Sequence, residues 1–176
     1  MDDVSESGQH EPKGRTMKKI VKAVAMIFSV ILLSGLFLVS QAAERKPVEI
    51  KKGDKCQVCG MLVYPYPTWA AEIIFSDGTY AAFDGPKDMF KYYLNIGKFN
   101  PSKKQSDIAA IFVTEYYSTR MMDAHEVFFV KGSDVDGPMG AELIAVESAD
   151  RAKVFMKDHK GKKILRFNEV KMEDLK

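Results

Sequence analysis

Three hydropathy regimes divide the 176-residue chain. Residues 23–39 are almost continuously apolar, the stretches on either side of them are polar and charged, and from Trp69 onward apolar residues come in short punctuated runs. These runs predict the folded elements. "WAAEIIFSDGTYAAFDG" (69–85) holds two β-rich segments around Asp77-Gly78, a strong hairpin signal. "GPKDMFKYYLNIG" (85–97) predicts a helix, with Pro86 in its first turn, Met89, Phe90, Tyr93 and Leu94 at helical spacing, and Gly97 as its stop. After the polar loop "NPSKKQSD", "IAAIFVTEYY" (108–117) predicts a strand. "AHEVFFVKGS" predicts another strand, ending at Gly132, and "GAELIAVES" one more. "SADRAKVFMKDHKG" predicts a helix with Ser148 as N-cap, Ala152, Phe155 and Met156 on one face, and Gly161 beyond the last turn. "KKILRFNEV" predicts a closing strand.

Strand–strand–helix–strand therefore occurs twice. The expected fold class is α+β, built from two small, similar ββαβ units at 56–117 and 118–176. Each is too small to bury a core alone, so the two should pack together. The likeness lies in element order, not in residue identity.

The N-terminal regime sets the compartment. Lys18, Lys19 and Lys22 precede the apolar run, and Ser40, Gln41 and Ala42 follow it: a basic region, an apolar core and a small-residue site, as in a secretory signal peptide. Residues 1–42 are expected to be an upstream extension plus that signal, with cleavage after Ala42. The run also approaches the minimum spanning length of about 17 residues, so an uncleaved membrane anchor is the alternative. Either way the chain beyond Arg45 lies outside the cytoplasm. Residues 43–55, rich in charge, are expected to be a linker.

Charge excludes one class of partner. Lysine and arginine number 26 against 24 aspartate and glutamate, with no basic stripe interleaved with aromatics, so nucleic acid is not an expected partner. Both cysteines of the chain, Cys56 and Cys59, fall in "CQVCGM". Two are too few for a disulfide-stapled secreted scaffold, so the pair is expected to have a chemical task.

Three chemistries compete for it. A redox CxxC opens a helix whose N-terminus lowers the thiol pKa, but Pro65 and Pro67 forbid a long helix here. A structural zinc site needs four ligands, and no second cysteine pair or closely spaced histidine pair follows. Cu(I) is soft, accepts two or three donors and favours thiolate and thioether sulfur. Cys56, Cys59 and Met61 place three such donors within six residues; core filling by Met61 and a small-ring disulfide are the bland alternatives. Met139 lies in "GPMG", a loop setting that presents its thioether outward rather than to a core. Met121 and Met122 are expected at a strand entry. His125 and His159 are secondary ligand candidates, the first expected to be exposed at a strand start and the second to complement the dipole at a helix end. The residues themselves leave open a zinc-binding interaction module and a thiol oxidoreductase beside the copper reading.

The blocks "CQVCGMLV", "AAEIIFSDGTYAAFDGPKDMFKYY", "VFFVKGSDVDGPMGAELIAV" and "HKGKKILRFNEV" resemble, in order, those of the NosL proteins, accessory copper-binding proteins of bacterial nitrous oxide reductase maturation. The resemblance implies a periplasmic, non-enzymatic Cu(I) chaperone of denitrification. Its partners would be nitrous oxide reductase or its maturation machinery, and its fold two ββαβ units akin to organomercurial lyase. By motif, Cys56, Cys59 and Met61 match the first metal-binding block and Met139 the second, implying Cu(I) held between the halves. Two departures stand out. "LFLVSQAAE" has no lipobox cysteine, which points away from lipid anchoring, and "HKG" replaces the HGG of many members beside His159.

Overall fold

The computed structural model describes residues 45–176, which form one compact unit. The expected signal segment and the first residues of the expected linker lie outside the described residues. Among the described residues no helix is long and apolar enough to cross a membrane.

The first half runs β1 (Ala71–Phe75), β2 (Tyr80–Phe83), α1 (Pro86–Leu94), the short α2 (Ile96–Phe99) and β3 (Ile108–Thr114). The three-residue strand β4 (Met121–Asp123) follows. The second half runs β5 (Phe128–Gly137), β6 (Gly140–Val146), α3 (Ala149–Asp158) and β7 (Lys163–Leu165). All pairings are antiparallel. The sheet orders are β2-β1-β3-β4 and β6-β5-β7. Each half is thus a hairpin whose first strand also pairs with the strand that returns after the helix.

Local chemistry accounts for the turns. Gly78 takes φ +85°, Phe75 and Thr79 close the β1–β2 turn, and Asp77 Oδ1 accepts from both the amide and the hydroxyl of Thr79. Gly137 pairs with Gly140, leaving Pro138-Met139 as the tip of the β5–β6 hairpin, with Gly140 at φ +79°.

Packing makes the halves one body. Ala71, Ile73 and Phe75 of β1 share a core with Met89, Phe90 and Tyr92 of α1, and with Phe129, Leu143, Ala145 and Leu165 on one face of the second sheet. The Phe90 ring meets Phe129 edge-on at 4.9 Å and Phe167 at 5.0 Å. The other face of that sheet, Val130, Ile144 and Val146, is covered by Ala152 and Phe155 of α3. The alternation along β5 and β6 therefore feeds two cores, with α1 between the sheets and α3 on the outside.

Five expectations change. β5 does not end at Gly132: that glycine, at φ +74°, sits in an irregular stretch of β5 between Lys131 and Asp136, and the strand continues to Gly137. Gly97 does not stop α1, which ends at Leu94 with Asn95 as C-cap; Gly97 belongs to α2. β3 ends at Thr114, before Tyr116 and Tyr117 turn away to pack on Phe155. β7 is only three residues, and Phe167–Glu169 forms a 3₁₀ turn that carries Phe167 into the core. The stretch expected as a linker at 43–55 is, from Arg45 on, tied to the first sheet. Arg45 donates to the carbonyls of Phe75 and Ser76, the Val48 amide donates to buried Glu72 at 2.8 Å, and Ile50 packs on the core. Such contacts span more than twenty residues of sequence, so composition alone did not show them.

Candidate metal centre

The CxxC segment folds as a tight knuckle, not a helix. Lys55 and Leu62 bridge its base, the Cys56 amide donates to the Met61 carbonyl at 2.8 Å, and the Gly60 amide donates to the Cys56 carbonyl at 2.9 Å. Gly60 adopts φ +79°, a left-handed conformation that a side chain would strain. The Gln57 amide reaches the Ala82 carbonyl, tying the knuckle to β2. Both thiols are free; Cys56 is buried and Cys59 exposed.

The partners of these thiols come from the start of α1. Asp84 follows β2, Gly85 is the N-cap, Pro86 the first helical residue, and Asp88 lies in the first turn. Cys59 Sγ donates to Asp84, with both carboxylate oxygens at 3.5 Å, and Cys56 Sγ donates to Asp88 Oδ2 at 3.5 Å. One donor atom from each of Cys56, Cys59, Asp84 and Asp88 lies within 4.8 Å of the other three. Asp84 is 2% exposed and Asp88 4% exposed. Asp88 also pairs with Lys91 at 2.8 Å, whereas Asp84 makes no ion pair among the described residues.

The electrostatics hold protons on sulfur while the site is metal-free. Burial, reinforced by the Asp84 carboxylate, pushes the Cys56 thiol far up, and burial also raises Cys59. A redox CxxC shows the opposite arrangement, a thiol lowered by a helix N-terminus. A cation entering this site must displace those protons.

A buried carboxylate from the second half fixes this helix start. Glu142 of β6 accepts from the Lys87 amide at 2.5 Å and from the Leu143 amide at 2.8 Å. The Lys87 ammonium in turn reaches the Ala141 carbonyl. The root of the hairpin that carries Met139 is therefore pinned between Asp84 and Asp88 in sequence. Met139 itself is half exposed at the hairpin tip, and Met61 is partly buried in the knuckle.

The two histidines are engaged elsewhere. His125 lies in the turn before β5, 3.0 Å from Asp123 and with its ring tilted against that of Phe167 at 4.1 Å. His159 is the C-cap of α3, 3.4 Å from Asp134 and stacked on Phe155 at 4.4 Å. Neither belongs to the Cys–Asp cluster. Sequence reasoning missed Asp84, Asp88 and Glu142. The one available signal for the first two was a pair of acidic residues flanking Gly85-Pro86, which passes for ordinary helix-dipole complementarity.

Comparison with known proteins agrees with this architecture. The chain is 25% identical over 156 residues to the copper-binding lipoprotein NosL of Stutzerimonas stutzeri, covering 82% of this chain and 78% of that protein. The crystal structure of the copper chaperone NosL from Shewanella denitrificans superposes with a TM-score of 0.62 at 20% identity, over 73% of this chain and 97% of that one. The solution structure of apo-NosL from Achromobacter cycloclastes aligns at 21% identity with a TM-score of 0.42, over 60% of this chain and 87% of that one. The NosL family model matches residues 47–175, and the chain belongs to the NosL family.

Proposed function

We propose that the protein is an exported Cu(I) carrier that hands copper to the maturation of nitrous oxide reductase. The observation that carries this reading is the knuckle: two free thiols, one buried and one open, held in a preformed turn that also contains Met61. Soft sulfur donors in low number suit Cu(I), and an exposed Cys59 lets an acceptor's ligand enter before the carrier's ligands leave. The copper-binding and copper-chaperone relatives support the same cargo. Cu(I) is bound by the Cys56 and Cys59 thiolates, with Met61 from the knuckle and Met139 from the second half as thioether donors. The pinning of Ala141 and Glu142 to the start of α1 supports the role of Met139, because it fixes the base of that hairpin beside the site.

Anaerobic competition with a Cu(I) chelator tests the proposal. One Cu(I) should bind per chain, and Cys56→Ser and Cys59→Ser should each weaken binding at least about a hundredfold. Met139→Leu, a volume-conserving change at a half-exposed position, should weaken binding about tenfold and leave the unfolding midpoint in place. Unchanged affinity in Met139→Leu would remove that residue from the site, and unchanged affinity in both cysteine variants would remove the knuckle. Delivery is read by mixing the Cu(I)-loaded protein with metal-free nitrous oxide reductase and following the reductase's copper content.

A further inference from the structure

One cluster of charge in the second half takes no part in the copper reading. A cavity of about 50 Å³ lies where β5, β6 and the 3₁₀ turn Met172–Leu175 meet the start of α1, and Lys87, Lys131 and Lys176 line it together with Asp174 and Glu142. Positive charge is in excess there. Lys131 and Lys163 stand directly opposite each other across the β5–β7 ladder, an arrangement that destabilises a sheet unless an anion separates the two charges. Both ammonium groups reach one oxygen, Asp174 Oδ1, at 3.2 and 3.3 Å, and Asp174 Oδ2 accepts from the Lys171 amide at 3.1 Å. A single carboxylate, 6% exposed, thus already serves three donors. The Lys87 ammonium reaches the Ala141 carbonyl, and neither it nor Lys176 pairs with a carboxylate among the described residues. Glu142, 7% exposed, does not redress the balance in mild acid. Burial pushes it up to about 7, so its carboxyl keeps a proton there and can donate a hydrogen bond.

We propose that this cavity binds a small tetrahedral oxyanion of the sulfate or phosphate class, held by the ammonium groups of Lys87, Lys131 and Lys176. The volume suits it: at about 10–15 Å³ for each water-sized centre, the cavity takes the oxygens of one such ion and little more. The chemistry suits it as well. Ammonium donors make charge-assisted bonds to oxyanions, and a doubly charged ion gains about twice the attraction of a halide at the same distance. Bound there, the ion ties α1 to β5 and β6 through Lys87, whose amide Glu142 already holds, and so braces the start of the helix. The inference is independent of the copper reading, in which none of the three lysines is a ligand.

Inorganic sulfate is the probe. It is added to the metal-free full chain in neutral detergent at about pH 6, below the titration of Glu142, with chloride at matched ionic strength as the reference. The backbone amide resonances of Gly132 and Leu143, which border the cavity, should shift along a one-site curve that is half-complete below about 5 mM sulfate. Chloride should move them less than about a tenth as far. Lys87→Gln and Lys131→Gln should each raise the half-saturating concentration at least about tenfold, and Lys176→Ala about threefold. Lys153→Gln, on the exposed face of α3, should leave the curve unchanged. Shifts that grow without saturating, that chloride reproduces, or that survive both glutamine variants would each overturn the proposal. Where one lysine variant does not fold, the other two and the wild-type curve still decide the matter.

Discussion

The starts of α1 and α3 occupy the same place in two ββαβ halves that share one strand order, β4 being an addition to the edge of the first sheet, and they solve the same problem differently. In the second half the helix is self-sufficient. Ser148 caps its own helix through the Arg151 amide, and Glu147 just before the cap faces Arg151 at 3.9 Å on an exposed surface. In the first half the cap is Gly85, which has no side chain, and the corresponding pair is Asp84 and Asp88, two buried negative charges. The missing cap is supplied from the other half, by Glu142 accepting from the Lys87 amide. A neutralised pair on the scaffold helix has become a like-charged pair aimed at two thiols. That exchange is what turns one of two equivalent helix starts into a site.

The largest expected effect lies in the borrowed cap, because a glutamate titrates and a serine does not. Burial pushes Glu142 up to about 7 from 4.5, against the pull of the Leu143 and Lys87 amides. Charged neighbours act in both directions: Lys87 favours the carboxylate and Asp88 opposes it. The folded state therefore holds a proton that the unfolded state has released. The stabilising contribution is complete below about pH 4.5 and is lost as pH rises through about 7, a swing of about 3 kcal/mol. Glu72, also raised to about 7 by burial, adds a slope of the same sign in the same window. Urea unfolding of the metal-free protein from pH 4.5 to 8 should show both. Glu142→Gln, which keeps the acceptor oxygen, should remove about half of the fall, and Glu72→Gln the other half. A slope that survives both variants would show that the second half does not cap the first through a buried ionisable group.

Gly85 is the next point at which to break the comparison. Its backbone is extended, at φ −175°, so any residue could adopt it, and the constraint is space alone. A methyl group there would run into the Glu142 carboxylate, with Glu142 Cδ at 2.9 Å. That carboxylate cannot swing aside without leaving two backbone amides unpaired. Gly85→Ala should therefore cost about 2 kcal/mol, read as a lowered denaturation midpoint, and should weaken metal binding because Asp84 and Asp88 lie on either side of it. A substitution that is neutral in stability would mean that Glu142 is not held as described.

What the sequence made legible was local. The Asp77-Gly78 hairpin, Pro86 at a helix start and Ser148 as a cap are each decided by neighbouring residues, and each stands where expected. The doubled element order was legible for the same reason. Cys56 and Cys59 stood out because only two cysteines exist. Their partners did not. Asp84 and Asp88 look like charges that favour a helix N-terminus, and Glu142 looks like the polar position of an alternating strand. Only the packing of the knuckle and of the second sheet against the start of α1 gives these acids their roles. The overrun of β5 past Gly132 has a related cause, since a glycine at positive φ serves a strand irregularity as readily as a turn.

The second half supplies the small effects, and their smallness is the point. Ser148→Ala removes one side-chain acceptor at an exposed helix start and should cost about 1 kcal/mol, with no pH slope of its own and no change in metal affinity. Smaller still is Glu147→Gln. Its pair with Arg151 is long and solvent-screened, so the unfolding free energy should change by less than about 0.5 kcal/mol. Cu(I) binding should be unaltered. Glu147 sits at the position that Asp84 holds in the first half, one residue before the cap. A metal-binding defect in Glu147→Gln would mean that the helix starts are not divided into a scaffold and a site. Indifference there, beside weakened Cu(I) binding in Cys59→Ser, would place the chemistry in what surrounds the helix start rather than in the repeated framework.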